Sequence, residues 1–409
     1  MLKIGIKYIG LFLVFIMLMG ESPFARLCQA DENTIKIGVV APLSGSRARL
    51  GAITRNATEL AVKKLNASGG IKIGGKNYNV QVIYGDDEAK IETCVAATER
   101  LITKDKVVGI VGYIQSTPAL AALSVAQRNR VPAISTIATT VKIHERVAEG
   151  YNKGEKQYVF QLSPTSYDRG ETDAAVAHFY LKPKKLGALF QNTDLGRDLE
   201  VIIRRYFSDK DPNAKWVVVE YFDADQTEFY PELAKIMQAK PDVLFVSMSG
   251  VATRSFTKQF NEMGVKAVPV TDGSEFAEPS FIKEFPGMLE GWITNIVWTG
   301  DVPLTDLTKP FTASYLEAYG TKPGYIEAQQ YEGMLAMFDA IKKAGSFNPE
   351  EIRDALEKIE TTGVTSIIKF DPKDHRIKRS LTIAQVQEDR HVVIWPLHAA
   401  QEKFILRSR

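Results

Sequence analysis

The chain has 409 residues, with 51 Lys+Arg against 49 Asp+Glu, two cysteines and five histidines. So even a charge balance argues against wrapping nucleic acid, which needs a basic face. The histidines (His144, His178, His375, His391, His398) show no H-x-x-x-H or Cys/His spacing, so no metal site and no cofactor are expected.

Lys3 and Lys7 precede an apolar stretch, Ile9–Met19, that Gly20, Ser22 and Pro23 break. It is too short for a membrane span and fits a secretory signal. Cys28 and Ala30 supply small residues at the −3 and −1 positions of a cut after Ala30, whereas Leu27 disfavours a lipoprotein cut before Cys28. A periplasmic location is the expectation. Residues 1–30 hold Lys3, Lys7 and Arg26 against Glu21, so the remainder is formally neutral with a single thiol, Cys94. Cys94 shares a helical stripe with Ile91, Val95, Thr98 and Ile102 and reads as a buried core thiol.

From Ile35 onward, strand and helix signals alternate. Ile35–Pro42 reads as a strand, followed by a helix carrying Ile53, Ala57, Leu60, Ala61 and Leu65 that stops at the glycines of Asn66–Gly70. Val80–Tyr84, Val107–Val111 and Val131–Ser135 read as strands, with helices at Glu88–Thr103 and Pro118–Asn129 between them. Such an order builds a parallel sheet with helices on both faces. Residues 141–157 carry charge and glycine without an apolar period and read as a surface loop. A second set then begins. Leu186–Gln191, Trp216–Phe222, Val243–Met248 and Val268–Thr271 are its strands; Asp198–Phe207, Tyr230–Gln238 and Thr253–Met263 are its helices. Beyond it, Trp292–Trp298 reads as a strand, Pro310–Tyr319, Ile326–Ala344 and Asn348–Ile359 as helices, and Leu381–Val386 with His391–Trp395 as a hairpin. The expected fold class is α/β, two doubly wound parallel-sheet lobes.

Two loops carry the chemistry: V-V-G-I-V-G-Y-I-Q-S-T (Val107–Thr117) and V-P-A-I-S-T-I-A-T-T (Val131–Thr140). Each follows a Val/Ile-rich run typical of a buried parallel strand. Ligands of open α/β sheets gather at the carboxyl ends of such strands. Ser116 and Thr139 there offer hydroxyls and backbone N–H groups to a small carboxylate. The fingerprints G-x-G-x-x-G, G-x-x-x-x-G-K-[ST] and G-x-S-x-G are absent, so the reading is a receptor and not an enzyme.

Further motifs stand in order around these loops: I-K-I-G-V-V-A-P-L-S-G (Ile35–Gly45), L-N-A-S-G-G-I (Leu65–Ile71), Y-G-D-D (Tyr84–Asp87), L-F-Q-N-T-D-L-G-R-D-L (Leu189–Leu199) and P-D-V-L-F-V (Pro241–Val246). Together they resemble the periplasmic Leu/Ile/Val-binding protein family, the substrate-binding components of branched-chain amino-acid-type ABC importers. The resemblance implies a type I periplasmic binding fold with three crossings between lobes, near Leu162–Pro164, Asn295–Val297 and Gly363–Ser366. Lobe 1 would comprise 34–162 and 296–363, and lobe 2 would comprise 163–295 and 364–397, with a tail at 398–409.

The resemblance also implies roles. Ser116 and Thr139 would take the ligand carboxylate, with a helix N-cap as the other reading of Ser116. Ile137 lies where the family uses a backbone carbonyl for the ligand ammonium, and Tyr113, Ala138 and Ser249 are further candidate contacts. Asp272 would face the amine, or else serve the Asp272-Gly273 turn; for Asp194 the turn or N-cap role is favoured. Leu50 and Leu195 stand where the family often has Tyr, and Arg49 adds a charge near the cleft mouth. The implied ligand is a branched-chain or other apolar amino acid, with an aromatic acid, amide or urea as alternatives. The implied partners are a membrane permease and its ATPase, the protein itself being a monomer; a ligand sensor feeding a signalling receptor is the other role.

Overall fold

The computed structural model describes residues 33–296, 298–377, 381–397 and 400–406. The signal segment, Cys28, Val297 and His398 lie outside the described residues. The described residues from Ile35 onward form one compact unit.

The first sheet holds β1 (Thr34–Ala41), β2 (Ile71–Ile73), β3 (Lys76–Asp86), β4 (Ile110–Gly112), β5 (Ala133–Ser135) and β6 (Val159–Gln161), in the order β2-β3-β1-β4-β5-β6. Strands β1, β4, β5 and β6 run parallel, in register Gly38↔Ile110, Ile110↔Ala133 and Ala133↔Val159. Helices α1 (Ala48–Ala67), α2 (Ile91–Thr103), α3 (Ser116–Arg128) and α4 (Lys142–Asn152) connect them. Side chains alternate across a strand, and here both faces are apolar. Val39, Val111 and Ile134 pack into one core with α1, while Val40, Ile110 and Ala133 pack into another with α2 and α3.

The second sheet contains β7 (Lys185–Gln191), β8 (Lys215–Phe222), β9 (Val243–Ser247), β10 (Val268–Thr271) and β11 (Ile293–Ile296), all parallel to one another. Helices α5 (Ser166–Leu181) and α6 (Asp194–Lys210) cover one face, with Ala174, Ile203 and Phe207 against Phe245 and Val270. Helices α7 (Tyr230–Ala239) and α8 (Val251–Glu262) cover the other, with Phe229, Phe256 and Phe260 against Leu244 and Val246. A short α9 (Pro279–Glu284) follows β10.

The chain then returns to the first core. Helices α10 (Thr308–Tyr319), α11 (Tyr325–Ala344) and α12 (Pro349–Leu356) bury Phe311, Met334 and Ile352 with Val39 and Ile134. After the small β12 (Thr361–Thr362) and β13 (Ile367–Ile368), β14 (Thr382–Gln387) and β15 (Arg390–Trp395) add an antiparallel hairpin to the second sheet, giving the order β15-β14-β11-β10-β9-β7-β8. Its two-residue turn puts Glu388 and Asp389 at φ 52° and 53°, the backbone that a tight hairpin demands. Val364, Ile368, Phe370 and Ile377 pack in the first core. The segment 400–406 lies against the hairpin, with Phe404 stacked on Tyr180 and Ile405 N–H donating to Gln385 Oε1.

Helices α4 and α5 differ from expectation. Residues 142–152 form α4 where a loop was expected, because Ile143 and Val147, one turn apart, are enough to anchor a short amphipathic helix. Helix α5 carries Arg169, Gly170 and Asp173 on its buried side, which hides its helical period. Cys94 is fully buried, as its stripe implies.

The end of β4 decides where Ser116 goes. Gly112 has φ 143°, and a Cβ on it would meet the Val40 carbonyl oxygen at 2.2 Å. Tyr113 follows at φ 68° and donates its N–H to that same carbonyl. We therefore expect Gly112→Ala to cost roughly 3 kcal/mol or more, from steric overlap and backbone strain together. A denaturation midpoint within error of the parent would contradict this.

Candidate functional site

A cavity of about 360 Å³ opens between the carboxyl ends of the strands of both sheets. That volume is at the small end of the roughly 300–1,000 Å³ range of small-molecule pockets. Leu50, Ile114, Ile137, Leu195, Met248 and Ile326 make its apolar walls.

On the first sheet's side, Ser116 is the first residue of α3 and Gln115 holds the cap position, so Ser116 is not the N-cap. Instead its Oγ accepts the N–H groups of Thr139 and Thr140, each at 3.3 Å. A hydroxyl has two lone pairs and one hydrogen. With both lone pairs engaged by the chain, the Ser116 hydrogen is left to donate. Thr139 is 3 % exposed, and its Oγ1 is buried without a protein partner. Both residues line the cavity. The N-terminus of the 13-residue α3 adds a positive dipole end beside them.

On the second sheet's side, Asp272 directly follows β10 and is 3 % exposed. Its Oδ2 accepts from Ser247 Oγ at 2.8 Å, and its Oδ1 has no protein partner. Burial pushes this carboxyl up to about 6, against the pull of Arg169 and Ser247. Arg169, from α5, donates through Nη1 to the Asp272 carbonyl and lies over the Tyr325 ring at 5.4 Å.

Polar contacts tie the two sides together around the rim. Asp194 accepts from Thr117 Oγ1 at 2.9 Å and from Lys142 Nζ at 2.6 Å. Burial opposes its ionisation, but the bonds from Lys142 and Thr117 outweigh it and hold its pKa below the ordinary value. Asp198 accepts from Thr140 Oγ1 at 2.9 Å and Ser166 Oγ at 2.7 Å. Arg47 donates through Nε to Ser249 Oγ at 3.1 Å, and Arg49 donates to Ser280 Oγ.

Of the sequence candidates, Ser116, Ile137, Thr139, Asp272, Leu50, Leu195 and Ser249 line the cavity. Three do not. Tyr113 is fully buried with its hydroxyl on Thr98, because its positive φ turns the ring into the core. The Ala138 carbonyl is taken by Gln161 Nε2 and Ser163 Oγ. Asp194 faces the rim contact, and the α6 cap is Thr193, which accepts from Gly196 N–H at 3.2 Å. The charge that reaches the cavity near α1 is Arg47 and not Arg49. Sequence reasoning also missed Arg169 and Tyr325, which no local motif marks because tertiary packing brings them in, and Gln115, which lies in the Val107–Thr117 loop beside Ser116. Among the described residues, no group of His, Cys, Asp and Glu is placed to hold a metal, and no helix is long and apolar enough to cross a membrane.

The chain is similar to known proteins over nearly its whole described length. The family model described as periplasmic binding protein matches residues 34–391. A Leu/Ile/Val-binding protein homolog from Brucella abortus is 23% identical over 385 residues, spanning 90% of this chain and 92% of its own. Among solved structures, a branched-chain amino acid transporter substrate-binding protein from Streptococcus pneumoniae, in complex with isoleucine, matches with a TM-score of 0.76 at 26% identity, covering 88% of this chain and 97% of its own. An ABC-transporter solute-binding protein from Rhodopseudomonas palustris, in complex with 3,4-dihydroxybenzoic acid, also matches with a TM-score of 0.76, at 25% identity over 87% of this chain and 94% of its own.

Proposed function

This chain belongs to the periplasmic binding protein family, whose members are solute-binding proteins of ABC-transporter type and not enzymes, and on that premise we propose that it captures a small amino acid with an apolar side chain for delivery to a membrane permease. The observation that carries this is the Ser116 hydroxyl. Its lone pairs are engaged by Thr139 and Thr140, so its hydrogen and the unpartnered Thr139 Oγ1 are donors for a ligand carboxylate. Asp272 Oδ1 would take the ammonium, and the walls from Leu50 to Ile326 would take the side chain. The relative bound to isoleucine supports the same reading.

The mechanism follows from contacts on both sides of one cavity. A ligand that touches Ser116 and Asp272 at once favours the conformation in which the two sides are close. The rim bonds of Asp194 and Asp198 add to that conformation. The closed form would dock on a permease, with a partner ATPase driving transport. Export would use the segment 1–30, cut after Ala30, and the protein would act as a monomer.

A second reading is an aromatic acid without an amine. Two buried arginines, Arg47 and Arg169, line the cavity against a single buried carboxyl, Asp272, that binds a proton near pH 6. The Rhodopseudomonas relative bound to an aromatic acid fits this balance. A thermal-shift screen of the mature protein against amino acids, aromatic acids, amides and urea separates the readings. A true ligand at 100 times its dissociation constant should add about 2.7 kcal/mol of stability. If amides or urea stabilise the protein and no carboxylate does, both readings are wrong.

A further inference from the structure

Arg47 is 4 % exposed, yet among the described residues it has no ion pair, and its Nη2 is buried without a partner. A buried guanidinium left with an unused donor is costly. The carboxylates that act on it from neighbouring elements are Glu275, Asp225 and Asp87. Two of these are engaged elsewhere: Glu275 accepts from Gly250 N–H at 2.7 Å and from Ser274 Oγ at 2.6 Å, and Asp87 accepts from Ala89 N–H at 2.8 Å. Asp225, an exposed residue after β8, makes no ion pair with Arg47 among the described residues.

Its orientation is set by the protein. Nε donates to Ser249 Oγ, which donates in turn to Gln191 Oε1 at 3.3 Å. The side chain also lies close to Gly250, where an added Cβ would meet Arg47 Cγ at 3.0 Å. Arg47 therefore reaches from the loop after β1 to the loop after β9, with Nη2 unused and the residue lining the cavity. Along the first sheet, β1, β4 and β5 are successive neighbours. Their following loops place Arg47, Ser116 and Thr139 in that order. Arg47 is thus beside the hydroxyl pair and beyond it, on the flank away from Thr139.

We infer that Arg47 determines specificity by binding a second oxygen of the ligand, an acceptor separate from the carboxylate held by Ser116 and Thr139. The inference rests on the proposed carboxylate clamp and replaces the wholly apolar side chain by one that carries a further hydroxyl, carbonyl or carboxyl group. A ligand lacking that oxygen leaves Nη2 unpaired in a closed cavity, and sites of that kind discriminate strongly against the analogue that cannot fill them.

The test is calorimetry on the mature protein with matched probes: phenylalanine against tyrosine, leucine against glutamate, and benzoate against 4-hydroxybenzoate. In at least one pair, the oxygen-bearing member should bind at least about tenfold tighter, the range expected for a charge-assisted hydrogen bond. Arg47→Met should bring that ratio close to one, and Arg47→Gln, which keeps a shorter donor, serves if the Met variant does not fold. The inference is overturned if no pair shows the preference, or if the preference survives in both variants. It is equally overturned if the variants weaken both members of a pair by the same factor, since Arg47 would then only bridge the two sides. The clamp is judged separately, by whether Thr139→Val weakens every probe.

Discussion

Replacing Ser116 and Thr139 together by alanine should weaken binding of the carboxylate ligand by about 2–5 kcal/mol, a loss of roughly 30- to 5,000-fold. The two positions should behave differently in the unliganded protein. Ser116 Oγ accepts two buried backbone N–H groups. Ser116→Ala therefore strands both donors and should lower stability by about 1–3 kcal/mol. Thr139 Oγ1 has no protein partner. Thr139→Val keeps the shape, removes an unsatisfied hydroxyl, and should leave unliganded stability equal or higher while affinity falls. Chemical denaturation paired with calorimetry reads both. Thr139→Val that binds every carboxylate as well as the parent would remove Thr139 from the site.

The second large effect is at Asp272. Its carboxyl titrates near 6, raised by burial. Because the folded pKa lies above the unfolded value of about 3.9, ionising Asp272 destabilises the unliganded protein at neutral pH. That cost is fully present above pH 6 and fades as pH falls toward 4. It amounts to roughly 2–3 kcal/mol from the size of the shift. Asp272→Asn should relieve part of it and raise the unliganded melting temperature at pH 7. A ligand ammonium needs the ionised carboxylate, so affinity for an amino acid should fall about tenfold between pH 7 and pH 5, and should be lost in Asp272→Asn. An acid without an amine should bind at pH 5 at least as well as at pH 7. Calorimetry at both pH values thus separates the two ligand readings. An amino-acid ligand whose affinity is flat across this range would exclude Asp272 as its partner.

The parallel strands were readable because both faces of each sheet are covered. Val243–Val246 is apolar throughout for that reason, and the ends of Val243–Ser247 were placed within one residue. Helix α5 was not readable for the opposite reason. Its inner face carries Arg169, bonded to the Asp272 carbonyl, and Asp173, which accepts from Asn295 Nδ2 at 2.8 Å. A polar inner face that serves a site erases the apolar period by which a helix is recognised.

The same contrast holds within the cavity. Ser116 and Thr139 were visible because they end strands that announce themselves. Tyr113 and Ala138 share those loops, but the positive φ of Tyr113 sends its ring into the core, and the Ala138 carbonyl is taken by Gln161 and Ser163. Arg47 and Arg49 are two residues apart on one turn, and nothing local to S-R-A-R says which reaches the cavity. Only packing against Ser249 and Gly250 selects Arg47.

The central claim is that two hydroxyl donors on neighbouring strand ends hold the ligand's carboxylate. The most direct measurement is a crystal structure of the mature protein with the ligand found by thermal shift. The prediction is one carboxylate accepting from both Ser116 Oγ and Thr139 Oγ1, at about 2.5–3.0 Å. A carboxylate seated on Arg47 or Arg169, with both hydroxyls out of reach, would contradict the claim.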